Sequence, residues 1–79
     1  MPKFPVDAPL ERVIATLAAL GFQVVRQGNH VALARHNQDG TRSTLTLPGH
    51  RHLKSSTLRA ALMQAGIPRD EFLAAYERN

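Results

Sequence analysis

Two short turn signals bracket a strand-length run near the middle of the chain, and they limit its fold more than any other feature. Gln27-Gly28-Asn29 precedes His30–His36, and Asn37-Gln38-Asp39-Gly40 follows it. Glycine and asparagine accept positive φ cheaply, which suits tight hairpin connections. Connections this short join antiparallel neighbours, because a parallel crossover needs a dozen or more residues. Phe22–Arg26, His30–His36 and Thr41–Leu47 are therefore predicted to form a three-stranded antiparallel sheet. Alternation gives it an apolar face of Phe22, Val24, Val31, Leu33, Leu45 and Leu47. The other face carries His30, Ala32, His36, Thr44 and Thr46, and is left open.

Such a sheet needs a helical cover for its apolar face. Before it, Leu10, Val13, Ile14, Leu17 and Leu20 recur at spacings of three and four. With Asp7 as a cap and Gly21 as a left-handed stop, this predicts a helix from Asp7 or Ala8 to Leu20. Glu11, Arg12, Thr16 and Ala19 fall off its apolar face. Residues 1–6, with prolines at 2 and 5, are expected to be a loose N-terminal arm. After the sheet, Pro48 to Lys54 is a basic loop that does not continue it. Ser55 or Ser56 caps a helix striped by Leu58, Ala61, Leu62 and Ala65, and Gly66 closes that helix. Pro68 opens a short last helix carrying Phe72, Leu73 and Tyr76. The predicted order is α-β-β-β-α-α, a two-layer α+β fold.

The 79 residues are expected to form one domain spanning 1–79. With no cysteine, neither a disulfide framework nor a thiolate metal site is available. The absence of a long apolar run or a signal-peptide pattern makes a cytoplasmic, non-membrane location the expectation. Net charge is +4, and its placement is informative. From Arg26 to Arg59 the chain carries +5 and all four histidines, while the remainder carries −1. A basic middle suits either a polyanionic partner, most simply nucleic acid, or an ordinary solvated surface.

His30 heads a strand that has no structural need of a histidine there. It is either a solvated strand-end residue or a general acid or base, since imidazole titrates nearest neutral pH. Arg26 and Arg35 flank it in sequence and are candidates for binding a phosphate through the planar guanidinium fork. His50 is either a loop residue or a second proton donor, whereas His36 and His52 read as surface residues. The pair His50 and His52 falls short of the three or four ligands zinc requires, so no metal is expected. Ser55, Ser56 and Thr57, with Arg59, either cap the second helix or face a phosphate.

The chain resembles the HicA toxins, small cytoplasmic endoribonucleases of bacterial toxin–antitoxin modules. The resemblance runs from about Leu10 to Phe72. It is carried by Leu20-Gly21-Phe22, Val25-Arg26-Gln27, Gly28-Asn29-His30, Leu47-Pro48-Gly49-His50, Leu53-Lys54-Ser55-Ser56-Thr57-Leu58-Arg59, Gln64-Ala65-Gly66-Ile67 and Glu71-Phe72. It implies a fold like that of double-stranded RNA-binding domains (dsRBD-like), in keeping with the element order above. It also implies that His30, on the histidine of the family's Gly-Ser-His signature, is catalytic. Asn29 replaces the serine of that signature, and the turn lacks a residue often found between Gln27 and Gly28. The implied function is that of a type II toxin, an mRNA-cleaving endoribonuclease that needs no cofactor. The expected partners are mRNA and a HicB-like antitoxin, with a homo-oligomer left open. Arg26, Asn29, Arg35, His50, Arg51 and Lys54 are the expected RNA contacts. The alternative is a non-catalytic RNA-binding module of the same fold, and a weaker one is a protein-interaction domain.

Overall fold

In the computed structural model, residues 3–79 are described. Eight elements follow one another: β1 (Ala8–Pro9), α1 (Leu10–Ala19), β2 (Gln23–Gln27), β3 (His30–His36), β4 (Arg42–Pro48), β5 (His52–Leu53), α2 (Ser55–Ala65) and α3 (Arg69–Arg78). The three long strands form an antiparallel sheet in the order β2-β3-β4. Helices cover one of its faces, giving the two-layer α+β arrangement expected. No helix among the described residues is long and apolar enough to cross a membrane.

The core lies between sheet and helices. Val31, Leu33, Leu45 and Leu47 meet Leu58, Ala61, Leu62 and Ala65 of α2, Val13 and Leu17 of α1, and Phe72 of α3. Leu17, Leu47, Leu58 and Phe72 are fully buried. Each such side chain contributes roughly 1.5–3 kcal/mol of hydrophobic stabilisation. Gly21 and Gly66 take positive φ at the ends of α1 and α2, as their positions in sequence predict.

Several expectations change. The arm is not loose throughout, because Phe4 is buried and its ring lies 6.5 Å from that of Phe72. Met1 and Pro2, which also fall in that expectation, lie outside the described residues. Asp7 does not cap α1 but sits at φ 53°. Ala8 and Pro9 pair instead with Leu53 and His52, and the Leu10 N–H donates to the Arg51 carbonyl at 2.9 Å. These long-range bonds delay the helix to Leu10. They also draw His52-Leu53, expected in a loop, into a second small sheet that buries Leu53. α2 begins at Ser55 after Lys54 without a side-chain cap.

α1 packs on two fronts. Thr16, placed off the apolar face by periodicity, is fully buried, and its hydroxyl donates to the Arg12 carbonyl at 2.7 Å. The Arg12 guanidinium lies 3.9 Å from the Tyr76 ring centre and donates to the Tyr76 carbonyl. This second face exists because α3 is a full ten-residue helix, with Tyr76 stacked on Phe72 at 5.6 Å. Val24, expected in the core, is 40% exposed. It sits on the outermost strand, beyond the main helical cover, next to a register shift between Val24 and Arg26.

Candidate functional site

That register shift shapes the site. Val24 pairs with Leu33 but Arg26 pairs with Ala32, so Val25 is an extra residue bulged out of the ladder. Strict alternation from Val24 would send Arg26 to the helix side. The bulge turns it instead onto the open face beside Ala32, an effect bulges commonly have. His30 opens β3 opposite Pro48, and the pleat places it on the same face as Ala32. Thr46, opposite Ala32 on β4, completes the floor. Arg26, Gln27, Gly28, Asn29, His30, Ala32 and Thr46 line a shallow hollow of about 570 Å³. His30 and Arg26 are exposed, and no carboxylate lines the hollow. An imidazole and a guanidinium therefore face solvent together over small side chains.

The turn carrying His30 is held from outside. The Gly28 N–H donates to the His30 carbonyl at 3.2 Å, closing the hairpin. The Gly49 N–H donates to the Asn29 carbonyl at 2.9 Å, stitching the turn to the end of β4. Neither Gly28 nor Asn29 takes positive φ, contrary to the turn chemistry expected from their types. The glycine required here is Gly49, where a Cβ would stand 2.8 Å from the Asn29 carbonyl oxygen and 3.0 Å from that of Gly28. Gly28 has open space around it.

The basic segment after β4 divides around this seam. His50, His52, Lys54 and Thr57 line a second hollow together with Pro48, the cross-strand partner of His30, so the two hollows adjoin. Arg51 turns the other way, into a third hollow that it shares with Gln27 and His52. Arg35 is not brought to the site. Five residues along β3 from His30, roughly 17 Å away at a strand's rise, it also has the opposite face parity. Its guanidinium donates to the Leu20 carbonyl and to Asn37, lies 4.7 Å from the Phe22 ring centre, and stands 4.0 Å from Glu71. Gln27, which lines two hollows, was not singled out by residue type, and its position just before the turn was the available signal.

Among the described residues, no three His, Asp or Glu side chains gather as a metal site. Asp39 lies in the hairpin at the far end of the sheet. Hydrogen bonds from the Thr41 hydroxyl, and then from the Thr41 N–H, hold its carboxyl below the ordinary value.

A family model described as "HicA toxin of bacterial toxin-antitoxin" matches residues 11–67. The chain belongs to the HicA toxin family. The HicA match takes in nearly all of α1, the whole three-stranded sheet with His30, β5 and α2, and ends before α3. A search of curated proteins returned no match. Membership in a HicA toxin family implies a cognate antitoxin as partner. Asn29 holds the turn through its carbonyl bond to the Gly49 N–H, a backbone contact indifferent to the side chain.

Proposed function

We propose that this HicA-family chain is the ribonuclease of a type II toxin–antitoxin module, cutting mRNA in the cytoplasm by acid–base chemistry through His30. The observation that carries the reading is the pairing of exposed His30 with Arg26 in one open hollow of the uncovered sheet face. The neutral imidazole takes the proton of a ribose 2′-hydroxyl. The freed oxygen attacks the adjacent phosphorus, and the bond to the 5′-oxygen breaks. A proton supplied through solvent water to that oxygen, with the proton held on His30 returned to solvent, completes a 2′,3′-cyclic phosphate and a 5′-hydroxyl end. General acid–base catalysis of this kind is worth typically about 10²–10⁴-fold. Arg26 supplies a fixed cationic donor for the charge developing on the phosphoryl oxygens. His50 and Lys54, in the adjoining hollow, suit a neighbouring phosphate. The open face is shallow enough to admit a single strand without a lid.

The test is cleavage of a long RNA by the purified protein in the presence of a chelator, with wild type and His30→Ala. Cleavage should disappear in the variant while its thermal transition stays within a degree or two, because an exposed strand-end side chain contributes little packing. A variant that binds RNA as before, beside a wild type that never cuts it, would instead identify a non-catalytic reader of RNA shape.

A further inference from the structure

The third hollow has a composition of its own. Leu10 and Ile14 of α1, both half-buried against the core, form an apolar floor. Glu11, Gln27, Arg51 and His52 stand around it, all exposed. Its volume is about 610 Å³, and Gln27 is common to it and to the hollow of His30. Glu11 and Arg51 line the same space, yet no ion pair within 4.0 Å joins them or engages Glu11 with any other described residue. An acceptor and a donor fork thus stand around an apolar floor, one side chain away from the proposed reacting centre.

We infer that this hollow receives the base of a nucleotide flanking the cleaved linkage, and that it selects guanine. The inference rests on the ribonuclease reading and adds to it a specificity site. A flat heterocycle covers the apolar floor of Leu10 and Ile14 and stacks on the His52 imidazole, as unstacked RNA bases do on aromatic side chains. The choice of base follows from hydrogen-bond patterns. A carboxylate offers two acceptors and no donor. Guanine presents two adjacent donors, N1–H and N2–H, on its Watson–Crick edge. Adenine and cytosine each present a donor beside an acceptor lone pair, and uracil a single donor between two carbonyls. Only guanine meets Glu11 with two N–H groups and no opposing lone pair. Its O6 and N7 then accept from the Arg51 fork, the pairing most often used to read guanine. Gln27 lies between the two hollows, in position to guide the strand from one to the other.

The experiment uses the full chain and single-stranded deoxyoligonucleotides with one ribonucleotide, so that one linkage is cleavable. Guanine, hypoxanthine, adenine, cytosine or uracil is placed on each side of that linkage in turn. On one side, kcat/KM for guanine should exceed that for adenine by about ten-fold or more. Hypoxanthine, which lacks the N2 donor, should fall between them. Glu11→Gln combined with Arg51→Ala should bring the guanine-to-adenine ratio to within about two-fold of unity, since an amide offers a donor to adenine as readily as an acceptor to guanine and the fork that reads O6 and N7 is gone. Equal rates for all bases, or a ratio that survives the double substitution, would overturn the inference. If no oligonucleotide is cut, the ribonuclease reading fails, and dissociation constants for the same strands decide the base site separately. A guanine preference in binding that the double substitution abolishes sustains it. Equal affinities overturn it and leave the hollow to a side chain of a protein partner.

Discussion

Replacing Gly49 with alanine tests how the turn before His30 is held. The added methyl would stand 2.8 Å from the Asn29 carbonyl oxygen, 3.0 Å from the Gly28 carbonyl oxygen and 3.2 Å from the Asn29 carbonyl carbon. All three are backbone atoms, so no rotamer change can relieve the overlap, and the turn itself must retreat from β4. That retreat stretches the 2.9 Å bond from the Gly49 N–H to the Asn29 carbonyl. Inserting one methyl into a closely packed place costs roughly 1–3 kcal/mol, and losing the bond adds about 0.5–1.5 kcal/mol. A total of about 2–4 kcal/mol corresponds to a fall in Tm on the order of 10–25 °C for a domain of this size. Thermal unfolding followed by circular dichroism measures it directly. RNA cleavage should be assayed well below the lowered Tm, where the variant is folded, and should still drop, because His30 sits on the displaced turn. Gly28→Ala is the control. With nothing within 4 Å of its Cβ and no positive φ, it should change stability by less than about 1 kcal/mol. A Gly49→Ala variant as stable as wild type, or a Gly28→Ala variant that unfolds more readily than it, would refute the account of the turn.

Four further expectations can be checked separately. Arg35→Ala should destabilise by about 1–2 kcal/mol through loss of its bonds to Leu20 and Asn37 and its place over Phe22, with the salt dependence of RNA binding unchanged; a reduced salt slope would put it back among the RNA contacts. Arg26→Ala and Lys54→Ala should each lower the slope of log affinity against log salt by about one, read from titrations at several salt concentrations. The lowered pKa of Asp39 means its carboxylate stabilises the fold above the unfolded value of 3.8 and loses that contribution as pH falls through the folded one; the stability gap between wild type and Asp39→Ala should therefore be present at neutral pH and close on acidification, as acid unfolding of the two proteins would show. A cognate antitoxin should cover the open face with acidic side chains against Arg26 and bury His30, so an imidazole-modifying reagent should spare His30 in the complex; a neutralised toxin whose His30 stays reactive would rule out occlusion.

Much of the fold follows from local pattern. The alternation of His30–His36 reproduces β3 to the residue, the stripe from Leu58 to Ala65 reproduces the buried face of α2, and Gly21 and Gly66 end helices where expected. The exposure of His30 at the head of a strand, on the face away from Val31 and Leu33, was equally legible, because the pleat sets direction from sequence position alone. What escaped such reading depends on residues far apart in the chain. Phe4 is fastened by Phe72, Ala8-Pro9 by His52-Leu53, and Arg35 by the Leu20 carbonyl, each across a long separation that no local period records.

The residues of the candidate site divide along the same line. By itself the sequence determined that a short hairpin connection presents His30 on an open sheet face, since the length of the connection and side-chain alternation act over a few neighbouring residues. Tertiary structure alone decided that Arg26 joins it, that Arg35 does not, and that Gly49 rather than Gly28 is the indispensable glycine. Val25 is bulged only because β2 must satisfy its pairing with β3 in two registers at once. Gly49 is constrained only because the chain returns, some twenty residues later, to lie against the backbone of the turn. Both are consequences of strand pairing and close approach, which exist only once distant segments have met.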